Sequence, residues 1–174
     1  MALTGPVELL EPGVAAALDD LGVDAEVLEC DPELADTAAF CAAYGVDPVD
    51  SANCIVVAGR GDPRRNCACV VLATTRLDVN RTVVGLLGVR KASFAGADAT
   101  RELTGMLIGG VTPFGLPEGL PLYIDARVMG RDRVVVGGGS RTCKLRLAPA
   151  QLLRAPGAQV VDGLALEPPP APAG

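Results

Sequence analysis

The sequence predicts a single α+β domain built around a curved, partly closed mixed sheet with helices beside it. Three observations lead there. The chain has 174 residues, 49% of them hydrophobic, within the roughly 100 to 200 residues of a typical domain. Helical and strand periodicities are mixed without the strict strand-helix-strand alternation of a parallel α/β sheet. Short apolar runs separated by Gly- and Pro-rich turns crowd the second half, the pattern of a sheet.

In chain order, residues 11–21 space Val14, Ala17, Leu18 and Leu21 on one helical face, with Pro12 in the first turn and Gly22 as the stop. Residues 25–30 alternate as a strand. Asp36 stands where an N-cap would begin a helix over Thr37 to Tyr44, which Gly45 ends. Residues 54–58 and 69–73 form two buried strands, joined as a hairpin through the turn at Gly59 to Pro63. Asp78 caps a helix ending at Gly88, and Asp98 a shorter one towards Leu103. Residues 106–108, 122–124, 134–136 and 142–147 are four further strands, and residues 149–153 a last helical turn. Residues 167–174, rich in Pro and Ala, lack the apolar content to order themselves.

Composition narrows the chemistry. The absence of histidine removes the usual general base, the Ser-His-Asp and Cys-His arrangements and every imidazole metal ligand. Three Phe, two Tyr and no Trp argue against base-stacking aromatic platforms. The six cysteines have no secretory leader ahead of them, so reduced, cytoplasmic thiols are expected. Cys67 and Cys69 are spaced as two thiolate ligands, but zinc wants four, so neither a metal nor a cofactor is expected. No apolar run approaches the roughly 18 to 20 residues of a membrane span. The net charge of -6 is unevenly spread: residues 1–59 carry twelve acidic and no basic residues, whereas residues 60–154 carry all fifteen Lys and Arg against seven acids. The later stretch can meet phosphates.

The most informative segment is Thr104-Gly105-Met106-Leu107-Ile108-Gly109-Gly110-Val111-Thr112-Pro113-Phe114-Gly115, read as a strand entering a glycine-rich loop that proline stiffens. Consecutive glycines let backbone N–H groups converge on an anion or a polarised carbonyl oxygen. This segment resembles the hallmark of the YbaK/EbsC family, the prolyl-tRNA-synthetase-associated domain, whose GxxxP loop matches Gly109 to Pro113. The resemblance continues through Leu120 to Asp125, Gly138-Gly139-Ser140-Arg141 and Leu147 to Leu153, and back through Cys30-Asp31-Pro32. It implies that residues 1–166 form one such domain, with a sheet partly closed into a barrel. It also implies a trans-acting deacylase that hydrolyses the ester of a mischarged tRNA, using substrate groups and backbone donors and no metal. Its partner is then the acceptor end of aminoacyl-tRNA, with an aminoacyl-tRNA synthetase as a second candidate partner, and neither DNA nor a membrane.

Two departures qualify this. The family's lysine on the first hairpin strand aligns with Asn53, which hydrogen-bonds but carries no charge. A serine and an aspartate of the later strands are replaced by Gly137 and Lys144. Strand alternation sets Thr142, Lys144 and Arg146 on one face and Cys143, Leu145 and Leu147 on the other, so Lys144 can return the missing charge. The resemblance assigns catalysis to Gly109, Gly110, Val111 and Asn53, and substrate binding to Thr112, Pro113, Phe114, Gly137, Gly138 and Lys144. The alternative is a catalytically impaired homologue that binds aminoacyl-tRNA or a nucleotide-like ligand without hydrolysis.

Overall fold

The structure is a computed structural model that describes residues 2–168. All but the first two residues of the Pro/Ala tail lie outside the described residues. The elements are β1 (Leu3–Thr4), α1 (Pro12–Asp20), β2 (Ala25–Glu29), α2 (Thr37–Tyr44), β3 (Ala52–Arg60), β4 (Asn66–Leu72), β5 (Arg76–Leu77), α3 (Val84–Leu87), β6 (Lys91–Phe94), α4 (Ala97–Thr104), β7 (Leu122–Asp125), α5 (Ala126–Met129), β8 (Val134–Gly137), β9 (Cys143–Leu147), β10 (Ala158–Val161) and β11 (Ala165–Leu166).

The strands make two main sheets. One has four strands in the order β1-β2-β9-β8, the other five in the order β10-β7-β4-β3-β6, and β11 pairs with β5 apart from both. Parallel and antiparallel pairs are mixed. The curved single sheet expected from the sequence is thus divided, and among the described residues no continuous ladder closes it into a barrel. What links the halves is one isolated parallel bridge between Ser51 and Val135. The main core lies between the sheets and under α1, where Leu18, Phe114, Leu122, Ile124, Leu145 and Leu147 are fully buried. Transfer of such side chains from water is worth roughly 1.5 to 3 kcal/mol each, enough to hold the two sheets face to face without further ladder bonds.

Several local expectations are corrected. Residues 106–108 form no strand: only Met106 is buried, while Leu107 and Ile108 are about half exposed, and the segment has no ladder partner among the described residues. The edge strands β6 and β10 were not foreseen, because their burial does not alternate cleanly and edge strands carry a weaker pattern. Asp36 sits at the N-cap of α2 but makes no capping bond, and Gly96 rather than Asp98 precedes α4. The helix after Asp78 starts as a π-helical stretch, Val79–Val83, before α3; Asp78 there accepts from the Thr82 hydroxyl at 3.0 Å instead of capping.

Candidate active site

Strand β6 covers β3 only along residues 57–60, so the first half of β3 lies open on that side, next to β8. A cavity of about 240 Å³ occupies this seam. Its wall takes Asn53 and Cys54 from β3, Val136 and Gly137 from β8, Phe40 from α2, Gly109 and Val111 from the glycine loop, and Lys144 from β9.

Lys144 is the centre of the arrangement. It lies on β9, a strand paired on both sides, with Leu28 of β2 and Gly137 of β8 as its register partners, so its backbone is rigidly placed. Only 6% of the residue is exposed. Its Nζ donates to the carbonyl oxygens of Ala35 at 2.6 Å and Gly109 at 2.5 Å and stands 5.5 Å from the centre of the Phe40 ring. Burial pulls its pKa below the usual lysine value, and neighbouring Arg141 pulls the same way, against the raising effect of Cys30, Asp36 and Cys143. An ammonium has three donors; two are held by carbonyls, and the third has no partner within the described residues. The face expected from strand alternation is the one observed.

Asn53 faces the same cavity. Its Oδ1 accepts from the Thr37 hydroxyl at 2.5 Å, which leaves the amide NH2 group to act as a donor. The Cys54 thiol, pushed up to about 12 by burial and by Cys67, stays protonated at neutral pH and is no thiolate nucleophile.

The glycine loop is pinned by cations. Arg141 donates through Nε and Nη2 to the Pro32 carbonyl at 3.0 and 2.8 Å, and through Nη1 to the Ile108 carbonyl at 2.9 Å and to Asp36 Oδ1 at 3.2 Å. This explains the missing cap on α2: the Asp36 carboxylate is engaged by a residue far along the chain. Arg141 was not singled out as a site residue, since nothing in its sequence neighbourhood shows which carbonyls it reaches.

Three peptide groups of the loop have different fates. The amides of Gly109 and Val111 have no hydrogen-bond partner among the described residues, and both residues line the cavity. The Gly110 N–H, by contrast, closes a turn on the Leu107 carbonyl at 2.9 Å, and the Gly110 carbonyl accepts from Gly139 at 2.7 Å. Gly110 therefore builds the turn instead of offering a donor, a correction to the expectation that all three amides converge.

The other expected contacts divide likewise. Gly137 lines the cavity, and a Cβ there would collide with the Val111 carbonyl, so glycine lets the loop lie against β8. Gly138 packs on Cys143 instead. Thr112, Pro113 and Phe114 are buried and do not line the cavity: their side chains brace the loop from the core side. The Thr112 hydroxyl has no hydrogen-bond partner there, while its N–H reaches the Met106 sulfur at 3.4 Å. Among the described residues no group of three or more His, Cys, Asp or Glu side chains is placed to hold a metal; the Cys67 and Cys69 thiols lie 3.7 Å apart within an apolar cluster. No helix among them is long and apolar enough to cross a membrane.

Known proteins share this arrangement of elements. A hypothetical protein of known structure is 27% identical, with a TM-score of 0.78 over 88% of this chain and 99% of its own. A candidate trans-editing enzyme for prolyl tRNA synthetase is 30% identical, with a TM-score of 0.74 over 88% of this chain and 97% of its own. Residues 31–155, which hold every cavity residue described above, match the aminoacyl-tRNA editing domain. The chain belongs to the aminoacyl-tRNA editing domain family.

Proposed function

We propose that the protein is a trans-acting aminoacyl-tRNA deacylase in which Lys144 supplies the positive charge that Asn53 does not. The observation that carries this reading is the buried ammonium of Lys144, held by the Gly109 carbonyl of the glycine loop in the cavity that Asn53 also lines. In the reaction, water adds to the ester carbonyl carbon and the bond to the 3′-terminal ribose oxygen breaks. A free amino acid and a tRNA with its hydroxyl restored are released. Negative charge gathers on the carbonyl oxygen during addition. The unpartnered amides of Gly109 and Val111 are donors for that charge, and the Lys144 ammonium stabilises it within a largely buried pocket, where such interactions are stronger than in water. The Asn53 amide offers a further donor to orient the ester or ribose. With no histidine in the chain and Cys54 protonated, proton transfer falls to the substrate's own groups and water. The same reading assigns the protein to the cytoplasm and makes a synthetase the source of its substrate.

Release of amino acid from a panel of mischarged tRNAs, including alanyl, cysteinyl and prolyl esters, measures this directly. Steady-state release from at least one of them is expected. Binding of the same tRNAs without release would instead establish the non-hydrolytic homologue that Asn53 also allows.

Phosphate binding is assigned to the basic half. Arg60 and Arg64 are exposed at the tip of the β3–β4 hairpin, where Arg65 is also exposed and donates to the Leu87 carbonyl at 3.1 Å. The logarithm of tRNA affinity should fall linearly with the logarithm of salt concentration. Changing all three arginines to glutamine should flatten that slope by about one for each phosphate they neutralise. An unaltered slope would remove the hairpin from the interface.

A further inference from the structure

Two of the chain's three phenylalanines line the cavity, and they differ in exposure. Phe40 is 1% exposed, beneath Lys144, whereas Phe94 is 56% exposed on the edge strand β6. Ile108, from the glycine loop, also lines the cavity and is 49% exposed. These two half-open apolar side chains belong to the mouth, while Lys144, Asn53 and the loop amides form the interior. A large side chain left open on an edge strand contributes little to folding, because much of its surface stays in water.

We propose that Phe94, with Ile108, forms the subsite for the terminal adenine of the tRNA acceptor end, the phenyl ring stacking on the base. The inference rests on the deacylase reading and extends it by one covalent connection. If the ester carbonyl lies at the amides of Gly109 and Val111, its ribose stands just outside, and the base on that same ribose must leave through the mouth. An exposed ring and an aliphatic side chain offer flat apolar surface of the kind bases use, and stacking requires no hydrogen-bond code. Such stacking also explains how a chain so poor in aromatic residues can still hold a nucleotide: one ring at the exit serves where several would be redundant. Phe94 is a specificity-determining residue for the nucleoside and takes no part in the chemical step.

The test uses fluorescently labelled hairpin RNAs that mimic an acceptor stem and carry a 3′-amide-linked alanine, which resists hydrolysis. One ends in CCA; in the other the last nucleotide has the same linked alanine but no base. Wild-type protein is expected to bind the abasic RNA on the order of ten- to a hundredfold more weakly, the range of one base-stacking interaction. Phe94→Ala should bind the CCA hairpin more weakly by a similar factor and lose little more on removal of the base, because both changes delete the same interaction. Phe94→Trp should retain or strengthen binding. If base removal weakens wild type and Phe94→Ala equally, the stacking proposal is overturned while acceptor-end binding stands. If wild-type protein binds neither hairpin, nor the same hairpins carrying amide-linked cysteine or proline, the deacylase reading falls with it.

Discussion

In a Gly109→Val variant, deacylation of whichever tRNA the wild-type protein clears is expected to slow by on the order of a hundred- to a thousandfold, the usual effect of losing an oxyanion donor, while the chain still folds. Gly109 has φ of 91°, a region costing a residue with a Cβ roughly 1 to 2 kcal/mol. That is a minor share of the roughly 5 to 15 kcal/mol by which domains are stable. The added carbon would collide with the Arg141 Nη1 group and come within 3.2 Å of Asp36 Oδ1. The guanidinium must shift, and with it the hold on the Ile108 carbonyl. Single-turnover release and a thermal melt on the same preparation separate the two effects. A folded variant with undiminished turnover and tRNA binding would show that the loop is only a turn.

Lys144→Met should also damage turnover, by on the order of a hundredfold. Methionine keeps an apolar stem against Phe40 but removes the ammonium. The Ala35 and Gly109 carbonyls lose their donor as well, at roughly 1 to 3 kcal/mol for each left buried without a partner, so some loss of melting temperature accompanies the loss of activity. Stability and chemistry are told apart by adding Asn53→Lys, which sets a lysine at the strand position the family uses. Turnover recovered in the double variant without recovered stability supports an electrostatic role; turnover equal to wild type in Lys144→Met alone refutes it. The pH dependence follows from the same group. Burial lowers the Lys144 pKa, so its positive charge is lost as pH rises through a value below that of an ordinary lysine. Affinity of wild type for a non-hydrolysable aminoacyl RNA should therefore decline on the alkaline side earlier than a surface lysine would dictate, and Lys144→Met should lack that step.

How much of this was legible in the sequence depended on the range of the interaction involved. Strand alternation from Thr142 to Leu147 is local, and it placed Lys144 on the correct face. The helices at Pro12 and Thr37 and the hairpin of β3 and β4 are also local patterns, and they stand within a few residues of the expected bounds. What failed were inferences from residue type where a distant partner decided. Asp36 has the chemistry of a helix cap, yet Arg141 takes its carboxylate. Leu107 and Ile108 have the apolarity of a strand, yet no neighbouring strand is there to pair with them. Gly110 looked interchangeable with Gly109, and only the positions of Leu107 and Gly139 distinguish a structural peptide from an available one. Thr112 and Phe114 stand two and four residues from Gly110, yet both are fully buried and lie outside the cavity wall.

The single bridge between Ser51 and Val135 has a mechanical meaning. Both walls of the cavity are stiff ladders, but the ladder joining them is one residue pair wide, so at this seam the sheets are held by core packing instead of by backbone hydrogen bonds. Amide protons beside it should exchange with solvent well before those at the centres of β4 and β9, each of which is flanked by a strand on both sides.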